Sequence, residues 1–190
     1  MRNAGKSLPI SVSSCLKIHL GKVRKYNQRV KLIIGFIYKD EAIFIKARDR
    51  LIKRFGRIDF QSEAIDFNYT DYYEKEMGAS LKRRFVSFFK LIHIQDLYLI
   101  KLCTNRIEAR FLMRNGRQVN LDPGYLDLAK LVLASTKDYA HRIYLRKGIF
   151  AEVTLNYRNN SFASNDWTYP DYRTKEYIEV FNKIRMLYAR

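Results

Sequence analysis

Apolar residues fall along this chain in distinct rhythms, and each rhythm predicts an element. Residues 30–37 (VKLIIGFI) are apolar almost without a break, the mark of a central strand covered on both faces. Asp40 is placed to cap the next segment. Ile43, Ala47, Leu51 and Phe55 then recur every four residues, predicting an amphipathic helix that stops at Gly56. Residues 58–60 and 64–67 predict short strands, 68–77 a polar-aromatic loop or short helix, and 84–89 another strand. Leu97, Ile100, Cys103, Ile107 and Phe111 keep helical spacing and predict a helix over 94–113. Asn115-Gly116 signals a turn. Residues 118–121 then read as a short strand ended by Asp122-Pro123-Gly124, read as a turn. Residues 126–134 are nearly all apolar; pattern alone does not separate strand from helix there, and helix is the preferred reading.

Residues 141–157 carry the clearest strand alternation. A three-residue loop, Arg146-Lys147-Gly148, puts Ile143 and Leu145 on one face with Ile149, Ala151, Val153 and Leu155. That register pairs Leu145 with Ile149 and Arg142 with Glu152, and gives His141 the inward face of Ile143. Thr174 caps a last helix with Tyr177, Phe181, Ile184 and Tyr188 as its core stripe. The expected architecture is α+β: a ferredoxin-like βαββαβ core with an added helix, a C-terminal hairpin and a C-terminal helix. One domain is expected over 30–190, preceded by a basic arm or mis-assigned start over 1–29.

Charge changes this picture. Of 190 residues, 36 are Lys or Arg and 19 are Asp or Glu, a formal charge of +17. Residues 1–31 hold eight of the basic groups and no acid, so nearly half the excess sits at one end. The remainder is still basic, which favours anionic partners such as phosphates, nucleic acid or anionic lipid. Cys15 and Cys103 are isolated, without zinc-finger spacing, and suit a reducing, cytoplasmic compartment. No apolar run approaches the roughly 18 residues of a membrane helix.

The phosphate-loop pattern GxxxxGK[ST], a GxGxxG after a strand, HExxH and GxSxG are all absent. What remains are mixed polar blocks. Lys101, Asn105 and Glu108 lie on one helix face. Asp122 sits in the tight turn expected at 122–124. Lys137 and Arg142 suit phosphate, while His141, oriented by Asp138, suits acid–base work; a structural histidine is the plainer alternative. Glu152 faces Arg142 across the hairpin. The acidic-aromatic stretch 66–76 suits a hard cation such as magnesium, or else a solvated loop whose acids pair with Lys82, Arg83 and Arg84. The aromatic link 167–173 suits base stacking or closes a core edge.

Five blocks also carry a family resemblance: DFNYTDYYEKEMG (66–78), LKRRFVSF (81–88), IKLCTNRIE (100–108), RQVNLDPGYLDLAKLVLASTKDYAHRIYLRKGIFAEVTLNY (117–157) and WTYPDYRTKEY (167–177). From about residue 31 onward the chain resembles the family called domain of unknown function 4416. The resemblance implies no activity, ligand or catalytic residue.

The residues themselves therefore set the functional expectation. It is a pocket of mixed charge for a phosphate-bearing small molecule or nucleotide, formed by Lys101, Asn105, Lys137, Arg142 and Glu152, with His141, Glu108 and Asp122 as catalytic candidates and a divalent cation as a conceivable helper. A nucleic-acid-binding module with a basic, aromatic surface and a non-catalytic protein-interaction domain stand as the alternatives.

Overall fold

The computed structural model describes residues 28–70, 72–113 and 116–190; the expected arm lies outside them except for its last two residues. The chain is α+β, built on a ten-stranded antiparallel sheet. The strand over 30–37 is β1 (Arg29–Tyr38), buried along nearly its whole length. The reason is that both faces are covered. Leu32, Ile34, Phe36 and Tyr38 meet α1 (Glu41–Phe55), whereas Ile33 joins the core on the opposite face. Asp40 caps α1, its carboxylate accepting from the Ala42 N–H at 2.7 Å, and Gly56 ends it with φ +93°.

The chain continues through β2 (Ile58–Gln61), β3 (Ile65–Asp66), the one-turn α2 (Glu74–Met77), β4 (Lys82–Phe88) and β5 (Ile92–His93). The helix expected over 94–113 is shorter: a 3-10 turn leads into α3 (Leu97–Ala109), followed by β6 (Leu112–Met113) and β7 (Gly116–Arg117). Then come β8 (Val119–Leu126) and β9 (Lys130–Ser135). Two expectations fall here. The apolar run 126–134 is not a helix: Asp127 accepts from the Ala129 and Lys130 N–H groups, each at 2.8 Å, and folds the run into a strand–turn–strand. Asp122-Pro123-Gly124 is not a turn but lies within β8, paired with Gly35, Ile34 and Ile33 of β1.

The hairpin is β10 (Ile143–Arg146) and β11 (Ile149–Arg158). Its pairs Ile143 with Ala151 and Tyr144 with Phe150 follow the expected register. A shift then pairs Arg146 with Ile149, leaving a two-residue turn with Lys147 and Gly148 both at positive φ. β10 is an edge strand with every residue exposed, Ile143 at 70%. The expected shared apolar face is therefore absent on its side, because no layer reaches this edge among the described residues. β12 (Ser161–Ser164), unforeseen, pairs with β11. Thr174 caps α4 (Lys175–Tyr188) through the Tyr177 N–H.

The sheet runs β10-β11-β9-β8-β1-β4-β2, with β12, β3 and β5 on its flanks. α1 and α3 cover one face, around Phe44, Leu51, Ile100 and Ile107. α4 covers the other, where Tyr177 and Phe181 meet Phe85 edge-on.

Candidate functional site

The site begins where the sheet splits. β8 follows β1 from end to end but meets β9 only over Gly124–Leu126. β9 stays paired with β11 along its whole length, and its last residues, Ala134 and Ser135, part from β8 with it. Sequence explains the fork. By strand alternation Pro123 shares an edge with Leu121 and has no N–H to offer a neighbour. Gly124 marks the closest approach: a Cβ there would stand 2.4 Å from the Val132 carbonyl oxygen. The residues that resemble a turn are thus the branching point of the sheet.

Past the fork, the edge of β8 is served by a helix instead of a strand. Lys101 Nζ donates to the Leu121 carbonyl at 3.0 Å, and Glu108 Oε1 accepts from the Leu121 N–H at 2.7 Å. Two side chains seven residues apart, two turns of one helix face, replace a β partner. Asn105 lies between them on the same face.

The gap between β8 and β9 is a cavity of about 740 Å³. Its floor is a chain of ion pairs, buried around Arg83 and half-buried around Arg117. Arg83, on β4, donates to Asp122 and to Asp171, each at 2.9 Å. Gly35 makes room for it, since a Cβ there would lie 3.0 Å from the guanidinium. Asn120 donates to the other oxygen of Asp122 at 2.8 Å and accepts from Arg117 at 3.1 Å. Arg117 grips Glu76 through two 2.8 Å bonds and reaches Glu108 at 3.4 Å.

The far wall is a second cluster. Arg142 donates to Glu152 at 2.8 Å, to Ser135 at 2.9 Å, to the Lys137 carbonyl at 3.0 Å and to the Tyr169 hydroxyl at 2.7 Å. Tyrosines close the sides: Tyr69, Tyr72 and Tyr73 before α2, Tyr139, and Tyr169 and Tyr172 before α4. Lys137 lies at the mouth, its Nζ 4.2 Å from the centre of the Tyr72 ring, with no carboxylate on it among the described residues.

These surroundings set the carboxyls apart. Burial pushes Glu108 up, against the opposing pull of Lys101 and the Leu121 N–H. Burial also pushes Asp171 up, although Arg83 opposes it. Burial acts upward on Asp122 too, but the charges of Arg83 and Lys101 and the hydrogen bonds from Arg83 and Asn120 prevail, and its carboxyl sits below the ordinary value. Hydrogen bonds from Arg117 hold Glu76 low.

Seven of the eight candidate residues line this one cavity: Lys101, Asn105, Glu108, Asp122, Lys137, Arg142 and Glu152. His141 does not. It lies behind Glu152, whose Oε2 it meets at 3.1 Å, and its ring stacks between Tyr139 and Trp167. Glu152, not Asp138, is the carboxylate that holds it. Arg142 is already committed to four partners, so it frames the wall rather than presenting an open fork to an anion. Among the described residues, no acid of 66–76 makes an ion pair with the basic run after them: Glu76 takes Arg117, Arg83 takes Asp122 and Asp171, and Arg84 takes Glu41. Among the described residues no group of three or more His, Cys, Asp or Glu is placed to hold a metal ion.

Sequence reasoning missed the role of Arg83. The available signal was an arginine on the inward parity of a strand, two residues from Phe85. Arg117 had no signal, because nothing local shows what it will meet.

Every lining residue lies within the five blocks that carry the resemblance. A family model described as a domain of unknown function, DUF4416, matches residues 28–188. The chain belongs to this family. No curated protein and no solved structure matches it. The DUF4416 match covers both walls of the cavity and α4, so the fork and its contents belong to the family region of the chain. No described helix is long and apolar enough to cross a membrane.

Proposed function

We propose that the cavity at the fork binds a small phosphate-bearing molecule, a mononucleotide or comparable phosphate ester. One observation carries this reading: α3, β8, β11 and the loop between β9 and β10 bring seven chemistry-bearing side chains to one cavity. Its volume is ordinary for a ligand site. Buried ion pairs are weak sources of stability, so a dense set of them around a cavity supports a role in recognition. The guanidiniums of Arg83, Arg117 and Arg142 already face carboxylates, so an incoming anion falls to Lys137 and to the two remaining N–H groups of Lys101. That favours one compact anionic group over a triphosphate. The tyrosine walls suit a flat ring. If the ligand is processed, Glu108 is the group to move a proton, since burial raises its carboxyl toward neutrality. Asp122, held low, supplies fixed negative charge. His141 serves by bracing Glu152.

We also read the strands β8-β1-β4-β2, with α1 and α3 on one face, as a ferredoxin-like βαββαβ unit, extended on the β8 side by β9–β12 to make the fork. We place the protein in the cytoplasm, where Cys103, a free thiol, stays reduced.

Thermal unfolding of the full chain with nucleoside monophosphates and sugar phosphates, with and without magnesium, tests the reading. A ligand at 100 times its Kd stabilises by about 2.7 kcal/mol. The gain should vanish in Lys137→Ala and Lys101→Met. A silent panel, or a gain that both variants retain, overturns the proposal.

A further inference from the structure

The outer face of the α1–α3 layer gathers cations that no carboxylate holds among the described residues. Lys46, Arg50, Lys53 and Arg54 lie on the solvent side of α1, and Arg106 and Arg110 on that of α3. All six are exposed, and none has a carboxylate partner among the described residues. Asp49, the one acid among the exposed residues of this α1 face, is paired with Arg48.

Helical spacing makes these groups a row. Positions 46, 50 and 53 follow one stripe of α1, with Arg54 beside it, and at 1.5 Å per residue the span from 46 to 54 is about 12 Å. Arg106 lies in the last turn of α3, and Arg110, four positions on, is its C-terminal cap. The Arg50 guanidinium lies over Phe111, the neighbour of Arg110, at 5.8 Å, so the two helices' cations flank one seam. Arg54 lies over Phe55 at 5.6 Å, and Arg57 over the exposed Phe89 at 4.6 Å. Three guanidiniums are therefore braced on phenyl faces, with their N–H groups unspent on carboxylates.

We propose that this seam binds the phosphodiester backbone of a nucleic acid, without reading its sequence. A row of fixed, unpaired cations matches a linear polyanion, each contact releasing counterions. Three phenyl rings lie under guanidiniums instead of forming the apolar crest that a membrane-bound helix inserts. The proposal is independent of the cavity ligand, which enters between β8 and β9.

The test is titration of the full chain with labelled 20-mer RNA and DNA, single- and double-stranded, across a series of salt concentrations. Two double variants carry the same charge change: Arg50→Glu/Arg54→Glu on the seam, and Lys175→Glu/Lys183→Glu on α4. Unchanged thermal unfolding verifies that both are folded, and Arg50→Gln/Arg54→Gln repeats the test with a smaller charge change. The expected result is binding that weakens with salt, a loss of about tenfold or more in the seam variant, and a log–log salt slope shallower by about two. The α4 variant should lose clearly less. Equal losses in both would mean general charge attraction and overturn the proposal. So would undiminished binding in the seam variant, which would place the contact elsewhere, or binding only to anionic lipid vesicles. No binding to any of the four nucleic acids overturns it as well.

Discussion

The arginines of this protein live in two settings. Around the cavity, Arg83, Arg117 and Arg142 each face carboxylates, and Arg83 is fully enclosed. Away from it, Arg50 and Arg54 on α1 and Arg57 just past its end rest on phenyl rings and face none. The first set is fixed by groups the fold supplies. Removing one member strands a buried charge. The second set is held by weak ring contacts in high dielectric, where its charge stays available. The same residue type thus builds a wall in one place and an open surface in the other, and partner count tells them apart better than charge does.

Four measurements can break or sharpen that contrast. The largest effect belongs to Arg83→Met, which leaves Asp122 and Asp171 buried without their cation. Urea unfolding should show a loss of about 3–5 kcal/mol, the usual penalty for breaking a buried pair. A loss below about 1 kcal/mol, that of an exposed pair, would mean the network is solvated and the contrast false. Next is Gly124→Ala at the fork. Its Cβ would collide with the Val132 backbone, so a loss of about 1–3 kcal/mol is expected from overpacking.

A smaller effect depends on pH and has opposite signs for two carboxyls. Glu108 is raised, so its contribution is full below the ordinary carboxylate value and is lost as pH rises through the raised one. Glu108→Gln should therefore gain on the wild type as pH climbs from the ordinary carboxylate range toward neutrality. Asp122 is lowered, so its contribution is present above the ordinary value and lost as pH falls through the lowered one. Asp122→Asn should do most harm at neutral pH and least in acid. Denaturant midpoints from acid to neutral pH report both slopes; parallel slopes would refute the split. The smallest effect is expected on the seam, where Arg50→Glu or Arg54→Glu should move unfolding by no more than about 0.5 kcal/mol.

Local chemistry made much of this molecule legible from its residues. β1 and the Asp40 and Thr174 caps follow from hydrophobic runs and from side chains that bond their own backbone neighbours, and the hairpin register follows as far as Tyr144 and Phe150 but not at its turn. So does the single face shared by Lys101, Asn105 and Glu108. The convergence of seven candidate groups followed from a simpler cue: each polar block lay outside a core stripe, so each was free to line a cavity. What stayed hidden was decided at a distance. Asp-Pro-Gly serves equally as a turn or as the end of a ladder, and only β1, some ninety residues earlier, keeps it extended. The run 126–134 suits either element, and pairing with β11 makes its second half a strand. Arg83 meets Asp171 across 88 positions, a contact no local pattern announces. An inward face for His141 requires a covered β10, and β10 is an exposed edge.

The bond from the Leu121 amide to Glu108 has a consequence for hydrogen exchange. In a sheet, an amide is protected by its neighbouring strand and exchanges when that strand departs. Leu121 is shielded by one carboxylate carried on α3. Its proton therefore exchanges when α3 lifts or Glu108 turns away, even while β1 still holds β8 in the sheet. A single amide signal is a clock for the seating of the helix that carries Lys101, Asn105 and Glu108.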